Sequence, residues 1–218
     1  MNTNETELRS ELVRTMRLMG ERGLNRGTSG NAAVRLGDEF LVTPSGVTPE
    51  LLTPDSMVRL NAQGETSDAF RPSSEWRMHV GILERRSDVH AVVHCHSRFA
   101  TTLACAGKSI PAVHYMVAVG GGAGVPLAPY HPFGSVELAE AVVEALAGGG
   151  ACLMANHGLI SAAGSLARAL SIAEEIEEQA AVYFGTLAIG GPTLLTSAQM
   201  DDVMRRFREY GQKRSHES

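Results

Sequence analysis

Ala91-Val92-Val93-His94-Cys95-His96 is an apolar run too short for a helix and reads as a buried strand. Ser97, directly after it, reads as the N-cap of a helix reaching about residue 106. A strand handing over to a helix within one residue points to layered α/β architecture. Upstream, Trp76, Val80 and Leu83 share a helical face, with Ser73 or Ser74 as cap. Before them lie short strands at 33–36, 39–43 and 58–60, the first two turning about Gly37-Asp38. The first helix carries Leu8, Leu12, Val13, Met16 and Met19, with Thr6 as cap and Gly20 or Gly23 as stop. Downstream, 117–119, 152–155 and 159–161 read as strands, and 135–146, 165–187 and 197–210 as helices. Several strands are joined by short turns and the alternation is irregular. The expected fold is therefore a single α/β domain over residues 1–218, with a central mixed, largely antiparallel sheet flanked by helices.

Composition narrows the function. The 218 residues are 44% apolar and 20% charged, with a net charge of −5 and no Lys/Arg block longer than a pair. No electrostatic footprint for nucleic acid or an acidic membrane follows, so an anionic ligand must be gripped locally. The opening MNTNETELRSELVR is polar and charged, unlike a secretory leader, and no apolar run approaches the ~20 residues that span a bilayer. Cys95, Cys105 and Cys152 are odd in number and lack CxxC spacing, as expected of three reduced core thiols in a cytoplasmic protein. Gly120-Gly121-Gly122-Ala123-Gly124 forms no GxGxxG, and Pro126 stands where a phosphate-binding helix would begin, so it reads as a loop.

The histidines carry the chemistry. His94 and His96 stand at i and i+2 on a strand end, which puts both imidazoles on one face and Cys95 on the other. His157 follows a second apolar strand. Three neutral imidazoles suit zinc with one position left open, although an HxH pair alone is more often a pair of ordinary polar histidines. Glu75 opens a helix, where a carboxylate is commonplace, yet Ser73 and Ser74 beside the helix N–H groups also make an anion site. Ser29-Gly30-Asn31 and Ser45-Gly46 are two more turns through which backbone can approach a phosphate.

Thr28-Ser29-Gly30-Asn31, Thr43-Pro44-Ser45-Gly46, Pro72-Ser73-Ser74-Glu75-Trp76, Val93-His94-Cys95-His96, His114-Tyr115-Met116 and Asn156-His157-Gly158-Leu159-Ile160 occur in one order along the chain. That order resembles the class II aldolase and adducin-head family, in particular its fuculose-phosphate aldolase type, from about residue 8 to 211. Pro129-Tyr130, Phe133-Gly134 and the closing 207–211 segment extend the resemblance. The relatives often carry Ser or Thr where Ala33 stands and Thr where Ser45 stands.

The resemblance implies zinc on His94, His96 and His157, with Glu75 as fourth ligand and proton shuttle. It implies a phosphate held by Asn31, Ser45, Gly46, Ser73 and Ser74. It further implies a homotetramer in which Tyr115 reaches a neighbouring subunit's site as acid and base, with the helix at 165–187 as a candidate packing surface. The expected reaction is cleavage of a ketose 1-phosphate, first L-fuculose 1-phosphate, to dihydroxyacetone phosphate and lactaldehyde. A 5-deoxy- or 5-methylthio-pentulose 1-phosphate is the alternative. An epimerase of this family would carry Asp at the Glu75 position, and a non-catalytic head would have lost metal ligands. His79, His90 and His216 are expected to be exposed or structural, and His114 and His131 to line the pocket at most.

Overall fold

The structure, a computed structural model, describes residues 3–209. In chain order it comprises α1 (Thr3–Glu21), β1 (Asn31–Leu36), β2 (Glu39–Val42), β3 (Val58–Leu60), α2 (Trp76–Arg85), β4 (Ala91–Cys95) and α3 (Arg98–Cys105). Then follow β5 (Leu127–Ala128), α4 (Val136–Leu146), β6 (Ala151–Met154), β7 (Gly158–Ala163), α5 (Leu166–Ala188) and α6 (Ser197–Glu209). The strands form one sheet in the order β3-β2-β1-β4-β7-β6-β5. Every pairing is antiparallel except β5 with β6, so the sheet is mixed and largely antiparallel, as expected. No described helix is long and apolar enough to cross a membrane.

Strand alternation divides the core into two layers. Ala91, Val93 and Cys95 of β4 join Ala32 and Val34 of β1 against Leu12 and Met16 of α1, Leu103 of α3 and Ile176 of α5. Val92 and Ala33 face the other way, onto Val80 and Leu83 of α2 and Val142 of α4. Each of the valine, leucine, isoleucine and methionine side chains among them contributes on the order of 1.5–3 kcal/mol when taken from water. The sheet is thus clamped between α1, α3 and α5 on one face and α2 and α4 on the other.

Several local expectations are corrected. Helix α1 already runs from Thr3, so Thr6 lies inside it and its carbonyl accepts the Ser10 hydroxyl. Neither Ser73 nor Ser74 holds the cap position of α2. Glu75 does, and the Ser73 hydroxyl accepts the Glu75 N–H at 3.2 Å. Ser97 does occupy the cap position of α3, but its buried hydroxyl makes no cap bond. Glu177 of α5 accepts the Phe99 and Ala100 N–H groups instead, at 2.8 and 2.9 Å. Residues 117–119 are not a strand. They sit in a 3₁₀ turn, Tyr115–Gly120, entered by His114 accepting the Met116 N–H and left through Gly121 at φ +86°. Cys105 is exposed, while burial pushes the Cys95 and Cys152 thiols up to about 12. The end of the last expected helix at residue 210, Gly211 and His216 lie outside the described residues.

Candidate metal centre and anion pocket

Because Cys95 turns into the α1–α3–α5 layer, its neighbour His94 emerges on the face covered by α2 and α4. The antiparallel register sets Asn31 of β1 opposite His94. His96 follows the end of β4, and its Nε2 lies 3.0 Å from that of His94. His157 comes from the tight connection between β6 and β7, where Asn156 takes a left-handed φ of +55°. The next residue must be glycine. A Cβ on Gly158 would stand 2.5 Å from the Cys95 carbonyl oxygen and 3.1 Å from the His96 ring. With no side chain there, β7 closes on β4 and the three rings gather with centroids 4.8, 4.8 and 5.1 Å apart.

The tautomer of His94 is fixed from behind. Its Nδ1 donates to the Leu159 carbonyl at 2.9 Å, which points Nε2 into the cluster, open to a metal whenever the ring is neutral. Glu75, at the head of α2 and buried, completes the group. Its Oε2 lies 3.3 Å from His94 Nε2, and its Oε1 lies 3.0 Å from His157 Nε2 with no other hydrogen-bond partner. Asn31 Nδ2 donates to Glu75 Oε2 at 2.9 Å, and His79, one turn along α2 and wholly buried, reaches Asn31 Oδ1 at 2.5 Å.

The electrostatics favour a bound cation. Burial pushes the Glu75 carboxyl up, but the charge and hydrogen bonding of His94 and His157 outweigh it and hold the group below the ordinary carboxylate range. Burial, then repulsion from His94 and His157, lowers His96 to about 4. Three imidazoles so crowded cannot all carry protons. Their ligand atoms lie within 4.8 Å of one another. Tetrahedral bonds of about 2.0–2.1 Å separate neighbouring ligand atoms by roughly 3.3 Å. The 3.0, 3.0 and 3.3 Å contacts of the cluster lie at or just below that spacing, so the residues fit one four-coordinate divalent ion.

The cluster opens on a cavity of about 330 Å³. Glu75, His96 and His157 line it together with Asn31, Ser45, Gly46, Ser73 and Ser74, the five residues linked to an anion from sequence. Tyr130, His131 and Phe133, from the segment after β5, line it too. Tyr115 does not. The residue is 47% exposed, and its ring lies against His114, with centroids 4.6 Å apart, and near Phe207 at 6.4 Å. The sequence reading gave His79 no part in the site. The signal was present, since His79 stands four residues after Glu75 and so on the same side of α2.

The family model described as Class II Aldolase and Adducin N-terminal domain matches residues 10–184. A 5-methylthioribulose-1-phosphate/5-deoxyribulose-1-phosphate aldolase of Rhodospirillum rubrum is 44% identical, over 94% of this chain and 92% of its own. An L-fuculose phosphate aldolase of Escherichia coli is 40% identical, over 94% and 96%. A solved L-fuculose 1-phosphate aldolase superposes with a TM-score of 0.90 at 34% identity, covering 93% of this chain and 96% of its own. Fold, histidine cluster and likeness along nearly the whole chain agree: the protein belongs to the class II aldolase and adducin N-terminal family and is a lyase of its aldolase branch.

Proposed function

We propose that the chain holds one zinc ion on His94, His96 and His157, with Glu75 as fourth ligand at rest, and cleaves a ketose 1-phosphate to dihydroxyacetone phosphate and an aldehyde. One observation carries this reading: the imidazole–carboxylate cluster shares a single cavity with three hydroxyl- or glycine-bearing turns. Zinc there supplies Lewis-acid stabilisation of the negative charge that builds on the substrate carbonyl, worth several kcal/mol. The Asn31 amide, the Ser45, Ser73 and Ser74 hydroxyls and the Gly46 backbone bind the phosphate. This local grip matters in a chain whose net charge is −5.

Cleavage needs one proton removed and one delivered. The hydroxyl on the aldehyde-forming carbon loses its proton as the carbon–carbon bond breaks, and the carbon left beside the carbonyl gains one. Glu75 delivers the second proton. Tyr115 takes the first, contributed by a neighbouring copy in a homotetramer, which accords with its absence from its own chain's cavity. The exposed Tyr115, Val182, Phe184 and Leu187 support an interface between copies.

L-Fuculose 1-phosphate, giving lactaldehyde, is the first substrate proposed, supported by the 40% identical relative's name. The name of the 44% identical relative supports 5-deoxy- or 5-methylthio-pentulose 1-phosphates as the second reading. Glu75, rather than an aspartate, weighs against an epimerase, and the intact cluster weighs against a non-catalytic head. The free thiols support a cytoplasmic setting. The test is to incubate the zinc-loaded protein with a panel of ketose 1-phosphates and follow dihydroxyacetone phosphate release. No release from any of them contradicts the proposal.

A further inference from the structure

We propose that His79 is a positioning residue, whose Nε2–H locks the Asn31 amide with its NH₂ toward Glu75 and so aims the carboxylate that moves the proton. This rests on the aldolase reading above.

The direction of the hydrogen bonds leaves one solution. An ionised carboxylate only accepts, so the amide end of Asn31 that faces Glu75 Oε2 at 2.9 Å must be its NH₂. Asn31 Oδ1 then faces His79 and only accepts, so His79 Nε2 must carry hydrogen. The ring is wholly buried and neutral, and its Nδ1 is left without a partner. Burial, with the nearby His94, lowers its ionisation to about 3.

A buried imidazole with a bare nitrogen is a poor choice for packing alone, since a leucine would fill the space without an unsatisfied group. What a leucine lacks is the donor. Asn31 is already fixed along the backbone by its ladder position opposite His94, so the freedom left to its amide is the flip that would set oxygen against carboxylate. His79 removes that flip. The second Asn31 amide hydrogen remains uncommitted in a residue that lines the cavity. One amide therefore serves the phosphate and Glu75 together, and His79 holds it in the orientation that permits both.

The test uses the zinc-loaded protein with His79→Leu and His79→Gln, each alone and with Glu75→Gln. His79→Leu should stay folded and keep its zinc, with kcat reduced roughly tenfold or more and KM raised as the Asn31 amide loses its hold on the phosphate. His79→Gln, whose amide can donate to Asn31, should recover most of the rate. In the Glu75→Gln background, His79→Leu should cost no further kcat. Nitrogen-15 NMR of the wild-type protein should show His79 neutral with hydrogen on Nε2. An undiminished kcat in folded His79→Leu, a full additional loss in the Glu75→Gln background, or hydrogen on Nδ1 would each overturn the proposal. Should His79→Leu not fold, the glutamine variant decides: a rate near wild type supports the relay, and a rate as low as that of Glu75→Gln overturns it. A wild-type protein inactive on every ketose 1-phosphate would sink the aldolase reading, while the NMR result would still test the relay.

Discussion

Asn31 and His94 are direct partners across the β1–β4 ladder, so a cavity-lining residue at the start of β1 and a histidine of the imidazole cluster stand side by side on one sheet face. The two halves of the site are coupled through backbone and not merely adjacent. Asn31→Ala should therefore raise KM and lower kcat together, each on the order of tenfold. Ser45→Ala, which touches only the phosphate half, should act mainly on KM. Steady-state kinetics on both variants separates the two patterns.

Gly30 is under a double constraint. Its φ is +75°, and a Cβ would fall 2.1–2.4 Å from the amide of Asn25, whose Oδ1 accepts the His96 N–H at 3.2 Å. Gly27, in the same turn, has φ +59° but open space around it. Gly27→Ala should cost only the left-handed strain of about 1–2 kcal/mol, roughly 2–8 °C in Tm. Gly30→Ala should cost clearly more and also weaken zinc binding through Asn25 and His96. Calorimetry and zinc titration of the two variants provide the comparison.

The cysteines give a simple chemical check of the layering. Cys95 and Cys152 lie in opposite core layers with thiols pushed up to about 12 by burial, whereas Cys105 is exposed at the end of α3. Iodoacetamide at neutral pH should modify Cys105 alone in the native protein and all three in denaturant, as read by mass spectrometry.

What was legible in sequence is what local pattern controls. The run ending in His94-Cys95-His96 marks a buried strand, and its period of two sends Cys95 inward and both histidines to one side. Helices α4 and α5 begin where Ser135 and Ser165 cap them. The misreadings have distant or minimal causes. The cap of α3 comes from Glu177, nearly eighty residues away, which no local signal announces. Val117-Ala118-Val119 has the β-branched look of a strand, yet its backbone follows the turn started by His114. Strand β5, the one parallel strand, has two residues between Pro126 and Pro129 and is too short to show a period. His79, wholly buried, reads from sequence only as exposed or structural, because its partner, Asn31, becomes visible only when α2 is laid across β1.

Tyr115 lies outside its own chain's cavity, so its proposed role depends on assembly. Tyr115→Phe removes one hydroxyl. It should leave zinc content and oligomeric mass unchanged and lower cleavage by roughly 10²-fold, the scale of lost acid–base catalysis. Hydrogen exchange on dihydroxyacetone phosphate, which needs Glu75 but no aldehyde, should persist. Equal loss of exchange and cleavage would remove Tyr115 from the aldehyde side, and a fully active monomer would exclude a contribution from a neighbouring copy.

As proposed, His94, His96, His157 and Glu75 hold one zinc on which cleavage depends. Zinc content and dihydroxyacetone phosphate release, followed in one sample while a chelator strips the metal, test it most directly. About one zinc per chain is expected at the outset. Rate and metal should then fall in parallel, and both should return when zinc is restored to the wild-type protein but not to His96→Ala or His157→Ala. An undiminished rate in fully demetallated protein would contradict it.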